Sequence, residues 1–255
     1  MGSIFADFDS SSVALALGLA MFAGWAFGLW LGRRLRIGEG EVTVSKFEDG
    51  SLALMGLLLA FTFSMAIAKH DQRRLMVVAD SNSIGDFYTC ASLLKEPVRT
   101  ELRTVTRDYT KLRADLGGKR VDDATFESAL RQMQVMQNQM TALVYQAITA
   151  GTPIAVSLTN ALNGVTSSHA TRLAAVRDRL PATIVWLLLV SAVGSSMLVG
   201  REQGRSDKPD VAGTICFIVL VSFAVYVTLD LNQPDRGLIT VSQEPMQHLL
   251  SSMTQ

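Results

Sequence analysis

The sequence predicts an all-α, polytopic membrane protein with four transmembrane helices and a long helical insert between helices two and three. Three observations carry this. Four apolar stretches, 13–32, 51–68, 182–200 and 211–231, hold no Asp, Glu, Lys, Arg or His except Asp230 near the end of the last. Each is long enough, at about 1.5 Å per residue, to cross a hydrocarbon core of about 30 Å. The insert Lys69–Leu180, by contrast, carries 15 Lys/Arg and 11 Asp/Glu, with apolar residues at helical spacing and no alternating strand pattern.

The zero net charge of the 255 residues therefore averages a bare membrane part with a mildly basic polar part. Three segments follow: 1–68 with the first two spans, 69–180 as an extramembrane bundle, and 181–255 with the last two spans and a C-terminal tail. The leader Met1–Ser12 has no Lys or Arg and carries Asp7 and Asp9, unlike the basic start of a cleavable signal peptide. Cys90 lies in the insert and Cys216 inside a span, so no disulfide between them is expected.

In chain order, Arg33–Gly50 reads as a loop, with Asp49 or Ser51 placed to cap the second span. Nothing stops that span at Lys69, so its helix is expected to run on to about Leu94. Pro97 suits the first turn of a helix over 97–116, with the seam Val98, Leu102, Val105, Tyr109, Leu112 and Leu116. Gly117-Gly118 ends it. Asp122/Asp123 open the next helix, with Phe126, Leu130, Met133, Met140 and Val144 on one face and Met136 beside them as core filler. Gly151 stops that helix, and Thr152-Pro153 restarts a fourth as N-cap and N1. Its stripe is Ile154, Leu158, Leu162, Val165, His169, Leu173, Val176 and Leu180, and at least two of the insert's helices are expected to extend spans.

The spans carry small residues four apart: Ala20, Gly24, Gly28 and Gly32 in the first, Gly56, Ala60, Ser64 and Ala68 in the second, Ala192, Ser196 and Gly200 in the third. Such rows let helix backbones approach closely where lipid supplies no hydrophobic drive. Packing within the chain and packing between copies both satisfy the pattern. Orientation is equally open. The two short loops hold seven Lys/Arg, and the insert flanks (Lys69, Arg73, Arg74, Arg172, Arg177, Arg179) plus Arg236 also hold seven.

No catalytic or metal constellation is visible. His70, His169 and His248 lie far apart in sequence, and neither HExxH nor CxxC occurs, so no enzyme, metal site or cofactor is expected. His169 falls on an apolar stripe and reads as a hydrogen-bonded core residue. Asp230 reads as a cap or interfacial group. Nor is a nucleic-acid partner expected.

Some runs are more specific. Gly56–Ala66, followed by Lys69-His-Asp71-Gln-Arg73-Arg74-Leu, resembles a bacterial family of unknown function grouped as bestrophin-like. So do Leu229-Asp230-Leu-Asn-Gln-Pro234-Asp-Arg-Gly237 with Val241–Leu249, and Ser168-His169-Ala-Thr-Arg172 ahead of Pro181. The resemblance implies a homo-oligomer, pentameric in bestrophins, that sits in the bacterial inner membrane and passes small anions such as chloride through a pore lined by span two. It also implies that the insert faces the cytoplasm. Leu59-Ala60-Phe61 is similar to the family's Leu-Ala-Phe tripeptide, which makes Ala53, Leu57 and Phe61 the equivalents of its apolar constriction; i, i+4 and i+8 share one helix face. The chain departs from the family in the small Ala53, in Gln72-Arg73 where an aromatic pair is common, and in lacking the acidic run that binds calcium in animal bestrophins. The alternative reading is a non-conducting membrane-anchored sensor or scaffold that binds a ligand or protein through the insert.

Overall fold

A computed structural model of the chain describes residues 9–34, 43–117, 122–206, 209–233 and 237–254. Pro234, Gly118 and residues 35–42 of the first linker lie outside them. Eight helices follow one another: α1 (Ser10–Arg34), α2 (Thr43–Ser92), α3 (Val98–Leu116), α4 (Asp123–Thr149), α5 (Ala155–Arg177), α6 (Ala182–Arg205), α7 (Val211–Asn232) and α8 (Glu244–Ser252). No strand occurs among the described residues. Four helical segments are long and apolar enough to span a bilayer, and they contain the four predicted stretches. The all-α, four-span class is therefore correct.

The chain divides into two compact units, 1–68 with 179–233, and 69–178 with 234–255. In the first, Leu17 and Met21 of α1, Met55 and Ala66 of α2, Leu188 and Ala192 of α6 and Val221 and Val225 of α7 form one apolar core. Its tightest seam joins α1 to α6. A Cβ added to Gly28 would overlap the Met197 carbonyl, and one on Gly32 the Arg201 carbonyl; in return, Gly200 meets the carbonyl of Trp25. Gly24 lies against Val193 of the same helix. These glycines serve packing within the chain, because only a bare Cα permits such an approach. A polar tie adds to it: Trp25 Nε1 donates to Gln203 Oε1 at 3.1 Å, and Gln203 Nε2 donates to Thr214 Oγ1 at 2.9 Å.

The second unit packs α3, α4, α5, α8 and the later turns of α2 around Ile84, Phe87, Leu102, Tyr109, Met140, Leu158 and Met246. The predicted stripes of α3, α4 and α5 supply most of this core, including Met133 and Met140, with Met136 packed against its edge. The segment read as a tail contributes α8: Met246 is fully buried, and Ser81 Oγ donates to the Pro245 carbonyl at 3.0 Å.

Four boundaries differ from expectation. α2 begins at Thr43, so Asp49 and Ser51 lie inside the helix rather than capping it. Ser51 Oγ instead lies 3.0 Å from Ser195 Oγ of α6. Pro97 sits just before α3, at the N-cap position, and helical turns begin with Val98. α5 begins at Ala155 with no side-chain cap, so Thr152-Pro153 form the preceding turn and not the helix start. Only α2 continues from an apolar stretch into the insert without a break; α5 ends at Arg177 and α6 begins after Pro181. Pro181 has no N–H and disfavours helical geometry at Leu180, which breaks the helix there. The freed Leu180 N–H donates to Asn232 Oδ1 at 2.7 Å.

Candidate functional site

Two features stand out, one in each unit. The first is a face of α2. Met55, Thr62 and Ala66 turn inward and are almost fully buried. Ala53, Leu57, Ala60 and Ser64 lie about a half-turn round the helix from them, with Gly56 and Phe61 on the flanks. All six are exposed, Leu57 to 52% and Phe61 to 61%, and a Cβ on Gly56 would meet nothing within 4 Å. The outer surfaces of α1, α6 and α7 carry the bulky Leu15, Leu19, Trp30, Trp186, Val190 and Phe223. The outward face of α2 mixes bulky residues, Leu54, Leu57, Phe61 and Phe63, with the small Ala53, Gly56, Ala60 and Ser64. Thus Gly28 and Gly32 of α1 and Gly200 of α6 are used inside the chain, while Gly56, Ala60 and Ser64 of α2 lie exposed.

The second feature is a buried polar cluster in the other unit. The inward stripe of α2 runs Arg73, Val77, Asp80, Ile84, Phe87 and Ala91, so two charged residues occupy core positions of a helical repeat. Asp80 is fully buried between two guanidinium groups. Arg113 of α3 donates to Oδ2 through Nε at 3.0 Å and also through Nη2, and Arg172 of α5 donates through Nη1 at 2.8 Å. Ser168 Oγ occupies the other oxygen, Oδ1, at 2.9 Å. Arg172 Nη2 donates onward to Gln243 Oε1 at 2.7 Å, and Gln243 Nε2 to the Val241 carbonyl at 3.1 Å. The Gln243 side chain lies across Gly117, where a Cβ would collide with it.

His169 extends the network. Its Nδ1 accepts from Arg113 Nη1 at 2.7 Å and lies 3.1 Å from Tyr109 Oη, which in turn accepts from Gln137 Nε2 at 3.2 Å. An arginine donor fixes Nδ1 as an acceptor, so the neutral ring carries its proton on Nε2. Burial pushes the Asp80 carboxyl up, but Arg113 and Arg172 together outweigh it and hold it below its usual value. Burial, reinforced by Arg113, lowers His169 to about 4. Burial raises the Tyr109 hydroxyl above its ordinary value.

The His169 shift has a consequence for stability. The unfolded ring takes up a proton near its ordinary 6.5, whereas the folded ring resists until about 4. The stabilisation is therefore fully present above pH 6.5 and is lost as pH falls toward 4. Discounted for the ring's partial exposure, the loss should be about 1–2 kcal/mol. His169→Gln should flatten that part of the stability–pH curve in chemical unfolding; an unchanged slope between pH 4 and 6.5 would refute this.

The remaining motif residues take different places. Arg73 is buried and donates to the carbonyls of Ala175 at 3.1 Å and Asp178 at 2.8 Å, closing off the C-terminal end of α5. Asp71 and Arg74, on the same turn of α2, are exposed. Lys69 pairs with Asp178 at 2.5 Å. Asp230 is buried at the C-terminal end of α7, and Gly237 is half-buried in a bend. Sequence reasoning thus named His169 and Arg172 but missed Asp80, Arg113, Tyr109, Gln137, Ser168 and Gln243 as their partners. The signal was there for Asp80 and Arg113, which stand at stripe positions next to Val77/Ile84 and Tyr109/Leu116.

Both cysteines are free, Cys90 half-buried in the second unit and Cys216 exposed on α7. No group of three or more His, Cys, Asp or Glu that could hold a metal occurs among the described residues.

A family model described as the Bestrophin-like domain matches residues 14–246, almost the whole chain. The chain belongs to the bestrophin-like family. This bestrophin-like protein matches no curated protein and no solved structure. Its four spans make it a multi-pass membrane protein, and family membership relates it to the bestrophin anion channels.

Proposed function

We propose that this bestrophin-like protein is a homo-oligomeric ion channel of the bacterial inner membrane, pentameric as in bestrophins and passing small anions such as chloride. The observation that carries the reading is the outward face of α2, where Ala53, Leu57 and Phe61 lie exposed beside Gly56, Ala60 and Ser64. In a ring of copies with α2 innermost, the small residues would admit a neighbouring helix. Leu57 and Phe61 would then project toward the axis as apolar rings that gate by dewetting, with Ala53 leaving a wider ring one turn away.

Purified protein in liposomes should pass chloride. Leu57→Ala and Phe61→Ala should raise conductance severalfold, because each widens one apolar constriction. Well-folded oligomers that carry no chloride flux at any voltage or pH tested would overturn the proposal.

A further inference from the structure

Beside the Asp80 cluster, within the unit formed by 69–178 and 234–255, lies a half-open cleft of about 90 Å³. A single water needs about 10–15 Å³, so the cleft has room for an anion of a few heavy atoms. Its lining includes Arg73, Arg113 and Arg172 together with the apolar Phe126 and Leu130 of α4 and Leu173 and Val176 of α5. Asp80 is not part of the lining.

The charge balance of the cluster is unequal. Two guanidinium groups share one carboxylate, both oxygens of which already accept hydrogen bonds, and His169 is neutral near pH 7 and adds no charge. A single positive charge is left over at side chains only 6% and 12% exposed. Among the described residues, Asp80 takes one of the five N–H groups of Arg172 and Gln243 another. Buried charge of this kind is costly until an anion meets it. The surrounding apolar wall selects against a small, strongly hydrated ion and for an anion with an apolar body.

We propose that this cleft is a binding site for a short-chain carboxylate, its carboxyl group on Arg172 and Arg113 and its short apolar tail against Leu130, Leu173 and Phe126. The site is separate from the α2 face and would serve a channel or a non-conducting protein alike, so its test needs no ion flux.

Calorimetric titration of the full-length protein in detergent with propionate, at fixed ionic strength, should give saturable binding of one molecule per chain. The neutral propionamide should bind at least tenfold more weakly. Leu173→Trp and Leu130→Trp fill the cleft from two different helices without touching the charged groups, and each should weaken binding at least tenfold. Arg172→Gln should do the same, read only on protein whose unfolding transition remains cooperative. Absence of saturable binding to the wild type would overturn the proposal. So would equal binding of the amide, or undiminished binding to a folded variant carrying either tryptophan.

Discussion

Asp80→Asn should cost about 3–5 kcal/mol of stability, the largest loss expected from any single conservative change in the insert. The asparagine keeps the shape of the side chain but removes the carboxylate that Arg113 and Arg172 share. Two guanidinium groups are then stranded together, and each is almost wholly shielded from water. Chemical unfolding of the detergent-solubilised protein would show the change as a lowered midpoint. The cause can be separated from simple loss of packing by a double variant. Arg113→Met in the Asp80→Asn background removes one stranded charge, so the pair should cost markedly less than the sum of the two single changes. A loss below about 1 kcal/mol for Asp80→Asn would mean that water reaches the cluster and screens it.

That cluster also marks how far the sequence could be read. The four spans were legible because an uncharged apolar run of that length suits a bilayer and little else. The insert helices were legible because the stripes of α3, α4 and α5 keep helical spacing, and those stripes form the observed core. Their starts and ends were less so. Ser51 has the chemistry of a cap, yet it spends its hydroxyl on Ser195, a partner 144 residues away that no local rule reveals. The same holds for the polar cluster. Arg113 and Asp80 stand 33 residues apart, and Arg172 and Gln243 stand 71 apart, so the pairing exists only after α2, α3, α5 and the segment before α8 have packed. His169 could be recognised as a core histidine from its own stripe, but not the arginine that fixes its tautomer. Likewise α8 is short and follows a span, so composition alone made it a tail; burial of Met246 makes it part of the insert's unit.

Rows of small residues in α1 and α2 look alike in sequence, and substitution should separate them sharply. Gly28→Leu should abolish the α1–α6 seam. Its Cβ alone would overlap the Met197 carbonyl, and backbone cannot swing aside as a side chain would. Overpacking against movable side chains costs about 1–3 kcal/mol, so a collision with backbone should cost more than that. Loss of a cooperative unfolding transition in detergent is the expected result. Gly56→Leu should leave the same transition intact, because among the described residues nothing beyond its own stretch of helix lies within 4 Å of the new Cβ. If α2 faces a neighbouring copy, Gly56→Leu should still act, by reducing the oligomer captured by chemical cross-linking in membranes. A stable Gly28→Leu protein would contradict the glycine seam between α1 and α6. An intact oligomer in Gly56→Leu would place the neighbour elsewhere, and with it the small-residue argument for a central α2 would fail.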